Sequence, residues 1–212
     1  MLTIWGRRNA FNVQKVMWLV GELGLPHEHI PAGGDFGGLD DQAFRARNPH
    51  GRVPVIDDGG TVVWESHSIL RYLAARDGRL WPQDPAERSQ ADRWMDWSLA
   101  TLQRDFMDLF WGHWRTPEAE RNRELVARRQ EACAGHFRLL DDHLAGRPFL
   151  AGDSFGLADI PAGTVLYRYF GMGLETPAVP HVRAWYARLA ERPAYRQHVM
   201  MPFDDMYGRL AY

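Results

Sequence analysis

Short apolar runs and helical repeats alternate over the first third of the chain, and beyond it only helical repeats remain. Leu2–Trp5 reads as a strand. Across residues 12–23 the apolar positions Val13, Val16, Met17, Leu19, Val20 and Leu23 follow the spacing of a buried helix face, and Gly24 with Pro26 closes it. His27–Ile30 suits a second strand, 41–47 a short helix, and 54–57 and Thr61–Trp64 two strands joined by the turn Asp57-Asp58-Gly59-Gly60. Residues 66–76 predict a helix with Ile69, Leu70, Tyr72 and Leu73 on its buried side.

The order β-α-β-α-β-β-α resembles a thioredoxin-like domain. Residues 80–85 contain two prolines and read as a linker. The expected division is a thioredoxin-like domain at 1–78, a linker at 79–85 and an all-helical domain at 86–212. In the helical half, Met95, Leu99, Leu102, Phe106 and Leu109 form a core stripe, and Cys133, Phe137, Leu140 and Leu144 share one face of a second helix. Val182, Trp185 and Leu189 do the same in a third, which stops at Pro193. Between these, Gly156 and Asp159 are spaced as a capping box flanked by the staple pair Phe155 and Ile160. That segment reads as a folding element without chemistry.

Composition narrows the partners. With 212 residues, 45% hydrophobic and 25% charged, the chain can bury a sizeable core, and a formal charge of −2 draws neither nucleic acid nor an anionic membrane. No apolar run approaches a membrane span, and the start Met1-Leu2-Thr3-Ile4-Trp5-Gly6 reads as a strand, unlike a signal peptide. The single cysteine, Cys133, excludes an internal disulfide framework. A cytoplasmic protein with no nucleic-acid or membrane partner is expected. The glycine-rich stretch 33–38 lacks the Lys-Ser/Thr and the following helix of a phosphate cradle. His27 and His29 share a strand face without a third ligand, so no metal is expected.

Two motifs carry the chemistry. In Asn48-Pro49-His50-Gly51-Arg52-Val53-Pro54-Val55, the Val53-Pro54 bond is a candidate for the cis form. Such a bond would turn the backbone N–H and C=O of Val53 outward, where an extended peptide could pair with them as an added strand. In Trp64-Glu65-Ser66-His67-Ser68-Ile69, Ser66 at a helix N-cap offers a hydroxyl and free N–H groups to a carboxylate, and Glu65 can meet an ammonium. A small peptide with an amino-acid head group, such as glutathione, fits that arrangement. These residues resemble the glutathione-site strand and helix of the cytosolic glutathione transferases, in which a cis proline and a Glu-Ser pair hold the tripeptide. The likeness extends along most of the chain.

The resemblance implies glutathione as co-substrate, a transferase reaction and a homodimer. Glutathione would supply the thiol, because no cysteine follows the first strand and Cys133 lies on an apolar helical stripe. In the segment 6–15 the pattern is most similar to bacterial nu-like members. They place a hydroxyl residue two positions before an Asn, and a Lys three positions after it. Here the hydroxyl position holds Ala10, while Asn12 and Lys15 keep the other two. Asn12 therefore becomes the leading thiolate stabiliser, with a plain helix cap as the competing role. Arg7 and Arg8 add positive potential, and Arg52 can pair with the glycine carboxylate of glutathione.

Arg104, Met107, Trp111 and Trp114 share a second face of the helix that carries the core stripe. Either an apolar cleft for a small hydrophobic electrophile or packing against the other domain fits that face, and Met107, Trp111 and Trp114 are the candidate pocket. Three activities remain open: addition of the glutathione thiolate to such an electrophile, glutathione-dependent disulfide reduction, and non-catalytic binding of glutathione or another ligand.

Overall fold

The computed structural model of the chain describes residues 1–210. Four strands, β1 (Leu2–Trp5), β2 (His27–Ile30), β3 (Val55–Asp58) and β4 (Thr61–Trp64), form one sheet in the order β2-β1-β3-β4. β2 runs parallel to β1, while β3 lies antiparallel to both β1 and β4. Alternation along the strands divides the core. Ile4 and Ile56 point into the main cluster beneath α1 (Phe11–Leu23) and α3 (Ser66–Asp77), whereas Val55 packs on the other face with Phe44 of α2 (Gln42–Arg47).

Helix α1 is the pivot of the molecule. It is buried on nearly every side and packs against α3 within the first half and against α7 (Asp159–Gly171) and α9 (Pro193–His198) of the second. Gly163 lets α7 approach, since a Cβ there would lie 2.8 Å from Leu189 and 3.0 Å from the Trp18 ring. Trp18 in turn meets the Tyr195 ring edge-on at 4.7 Å. One continuous apolar core results, shared by the sheet half and the helical half.

The helical half begins with α4 (Pro85–Trp97), capped by the Asp84 carboxylate on the N–H groups of Ala86 and Glu87. A π-type stretch at Ser98–Leu102 leads into α5 (Gln103–Leu109), and a second at Phe110–Arg115 ends the rod. α6 (Arg123–Leu144), α7 and α8 (Pro180–Ala190) complete the bundle with α9.

Several expected details differ. Leu99 is 41% exposed, and Ser98 faces inward in its place, because the wide π turn re-phases the helix between Met95 and Leu102. Tyr72 is only half-buried and sends its hydroxyl to Asp58. The helix at 155–160 starts at Asp159, not just after Gly156. The reciprocal bond of the capping box still forms, with Gly156 N–H donating to Asp159 Oδ2 at 3.0 Å. Asp159 Oδ1 also accepts from Leu150 N–H and Trp185 Nε1, which ties three segments together. Among the described residues no helix is long and apolar enough to cross a membrane.

Candidate functional site

Strand register brings the two motifs together. Val55 pairs with Trp5 on one side and Trp64 on the other, so the next rung sets Pro54 beside Gly6 and Glu65. The loop after β1, the Val53-Pro54 dipeptide and the start of α3 therefore meet at one end of the sheet. Gly6 makes the approach possible, since a Cβ there would fall 2.5 Å from Val13 and 3.2 Å from Val53.

The Val53-Pro54 bond is cis. Neither the N–H nor the C=O of Val53 bonds to another backbone group among the described residues, which leaves both open to a ligand strand. The loop before it is held by Asn48, only 3% exposed. Asn48 Nδ2 donates to the Arg52 carbonyl at 2.8 Å, and its Oδ1 accepts from His50 N–H at 3.1 Å. The Arg52 side chain itself is exposed.

At the other motif, Ser66 is the first helical residue rather than the cap, a position held by Glu65 with φ 68° and ψ 118°. That left-handed backbone is costly for a residue with a side chain and places Glu65 in the open, at the mouth of the site. Ser66 is buried to 3% exposure. No side chain caps α3, so its first N–H groups stay available to an anion.

The same holds for α1. It starts at Phe11 with Ala10 at the cap position, and the methyl group supplies no hydrogen bond. Asn12 thus sits within the first turn and is not the cap. α4 and α6, by contrast, carry capping side chains in Asp84 and Asn122. Two uncapped positive helix ends, α1 and α3, converge on the Val53-Pro54 loop.

Beneath this opening lies a buried polar group to which sequence spacing gave no role. Lys15 is fully buried. Its Nζ donates to Gln103 Oε1 at 2.5 Å, stands 3.2 Å from His67 Nε2 and lies 4.9 Å from the centre of the Phe11 ring. Gln103 Nε2 then donates to Asn12 Oδ1 at 3.3 Å. Burial lowers the Lys15 pKa to about 7, against the opposing pull of Glu65. Burial, then the charges of Lys15 and Arg71, hold His67 neutral, with a pKa of about 2. A signal was present: Lys15 is the only lysine among the 25 Lys and Arg residues, and it falls within an apolar helix.

Arg7, with Asn9, Arg115 and Arg209, lines a pocket that also carries Asp35 and Asp205, while Arg8 is exposed. Met107 packs half-buried against the main core, and Arg104 is exposed. The Trp111 ring lies under the Arg115 guanidinium at 4.2 Å. Trp114 donates from Nε1 to the Phe203 carbonyl at 3.1 Å and packs against the rings of Phe203 and Tyr207. Cys133 is wholly buried midway along α6, and burial pushes its thiol up to about 12. Among the described residues no group of three His, Cys, Asp or Glu side chains is placed to hold a metal.

Comparison with known proteins shows the family. Residues 7–82 match the model of the glutathione S-transferase N-terminal domain and residues 94–193 that of the C-terminal domain. Glutathione S-transferase GstB of Escherichia coli strain K12 is 42% identical over 206 residues, covering 95% of this chain and 99% of the relative. The glutathione-bound crystal structure of the theta class glutathione S-transferase from Xanthomonas axonopodis pv. citri superposes with a TM-score of 0.91 at 48% identity, over 95% of this chain and 98% of the other. The apo form of that enzyme gives a TM-score of 0.84 at 43% identity, over 95% and 97%. Two matched domain models and near-full-length likeness leave one assignment: the chain belongs to the glutathione S-transferase family.

Proposed function

We propose that this protein is a glutathione transferase that binds glutathione at the junction of the Val53-Pro54 loop, the Glu65-Ser66 helix start and the first turn of α1. The observation that carries the reading is the strand register that sets Pro54 beside Gly6 and Glu65, with two uncapped helix ends facing the same opening. The peptide backbone of glutathione pairs with Val53 as an added strand. Its γ-glutamyl carboxylate meets the Ser66 hydroxyl and the first N–H groups of α3, and its ammonium meets Glu65. Arg52 pairs with the glycine carboxylate.

The sulfur then lies at the N-terminal turn of α1. A free thiol, with a pKa of about 8.5, is mostly protonated at neutral pH, so the site must favour the thiolate. The positive end of α1 and the Asn12 amide supply that preference. The thiolate attacks a soft electrophile, a carbon–sulfur bond forms, and the leaving group departs with the electron pair. Met107, Trp111 and Trp114 give the apolar surface for a small hydrophobic electrophile. The working division is 1–78 for glutathione, 79–85 as linker and 86–212 for the electrophile. The enzyme acts in the cytoplasm as a homodimer.

Isothermal calorimetry with glutathione, followed by conjugation of an aryl halide, tests this reading. Binding in the micromolar to millimolar range, roughly −4 to −8 kcal/mol, with thioether formation supports it. No heat of binding refutes it. Reduction of a small disulfide without conjugation of the halide would replace the reaction while keeping the site.

A further inference from the structure

The buried Lys15 has a geometric consequence for Asn12. Lys15 donates from Nζ to Gln103 Oε1, and in its protonated form, below about pH 7, it has no lone pair with which to accept from the amide nitrogen. The amide nitrogen of Gln103 then points at Asn12, and Asn12 must answer with its own oxygen. The NH₂ of Asn12 is turned away from this chain of bonds and finds no acceptor among the described residues. Without the ammonium, each amide could rotate end for end at little cost, and Asn12 would present a lone pair to an anion as readily as a donor.

We infer that Lys15, acting through Gln103, is a positioning residue that locks the Asn12 amide with its donor end toward the sulfur of bound glutathione. The inference rests on the proposed role of Asn12 as thiolate donor. Lysine suits the task where arginine does not. It is a compact charge on a thin stem, fitted between α1, α3 and α5, whereas a guanidinium needs a planar fork of acceptors. His67 closes the arrangement from α3, with Nε2 3.2 Å from Lys15 Nζ. Glu65 and Arg71, both from the β4–α3 side, are the charged groups that act on this pair. The π turn at Ser98–Leu102 immediately precedes Gln103 and sets the phase in which α5 presents it to α1.

Gln103→Glu is the discriminating variant. The carboxylate keeps a partner for Lys15, but two oxygens would now face each other across the Asn12 contact. Asn12 must flip and offer its oxygen to the sulfur. Titration of the bound glutathione thiol by ultraviolet absorbance should then move up by about one pKa unit, so that about ten-fold less thiolate is present on the acid limb. Asn12→Ala should give a rise of similar size, and the double variant should add nothing to it. Calorimetric affinity for glutathione should stay within about two-fold in Gln103→Glu, since the peptide contacts lie elsewhere. A rise in Asn12→Ala with a wild-type titration in Gln103→Glu would overturn the relay and leave the role of Asn12 standing. No rise in either would overturn both. Nuclear magnetic resonance on the wild type gives a second reading that needs no variant: the Asn12 side-chain N–H₂ signals should shift when glutathione is added, and unmoved signals would refute the relay.

Discussion

Lys15 Nζ lies 3.2 Å from His67 Nε2 in the buried space between α1 and α3. Two side chains that can each carry a positive charge in water share one pocket, and only one can be charged there. Burial and the adjacent Lys15 settle the contest against His67, whose pKa falls to about 2. Lys15 remains the donor, with its own pKa near 7.

This depression has a sign that stability measurements can read. The folded pKa of Lys15 is about 7 against 10.5 for the free side chain, so the unfolded chain binds the extra proton throughout the interval. Stability from this group is lost as pH falls toward about 7 and regained as pH rises. Cys133 works in the opposite sense only above pH 9, because its folded pKa is about 12 against 9.0. Urea unfolding between pH 7 and pH 9 should therefore show stability rising with pH in wild type and a flatter profile in Lys15→Met. Since the chain has one lysine, selective ¹⁵N labelling yields a single Nζ signal. A native titration near 10.5 would contradict the assignment.

Ser66 should matter for affinity more than for folding. Ser66→Ala leaves a glutathione carboxylate short of a partner, at a cost of about 1–3 kcal/mol. Calorimetry against glutathione measures it. Wild-type affinity in the variant would remove Ser66 from the site.

Ala10 and Asn12 divide the catalytic question. Asn12→Ala should cost about 2–4 kcal/mol of transition-state stabilisation, read as a loss in kcat/KM for conjugation. Ala10→Ser places a hydroxyl at the empty cap of α1 and should stabilise the fold by about 0.5–2 kcal/mol. If the hydroxyl also reaches the sulfur, the bound thiol becomes more acidic. A change in melting temperature with no change in thiol titration would limit the effect of that substitution to capping.

Cys133→Ala should leave conjugation and disulfide reduction within a few-fold of wild type, with a modest loss of stability, because the thiol is buried, unionised and remote from the Val53-Pro54 opening. Thiol reagents should react slowly with the folded protein. Selective loss of disulfide reduction in the variant would show that the protein contributes a sulfur of its own.

Asp159 is the clearest structural lever outside the site. Its two oxygens accept from Leu150 N–H, Gly156 N–H and Trp185 Nε1, although burial raises its pKa to about 6. Asp159→Asn replaces one acceptor with a donor in a buried space and should cost about 1–3 kcal/mol in urea unfolding without altering glutathione affinity.

The local elements were legible because their signals are local. Strands β1 to β4, α1 and α3 follow from apolar spacing and turn residues, and the Val53-Pro54 and Glu65-Ser66 motifs could be read in order along the chain. Leu99 was not legible, since helical periodicity assumes a constant turn and a π stretch breaks it. Nor was the partnership of Lys15 with Gln103, which are 88 residues apart. Sequence spacing alone does not specify a contact between two helices from different halves. The lone lysine in an apolar helix was the available clue, and its partner required the fold.

The most direct test of the account is the acidity of glutathione bound to the wild-type protein. Ultraviolet absorbance of the thiolate, followed against pH for the complex and for free glutathione, reports what the α1 turn and Asn12 do to the sulfur. The account predicts a bound thiol pKa at least about one unit below the free value of about 8.5. A bound pKa equal to the free value would contradict it, because glutathione would then occupy the site without being activated there.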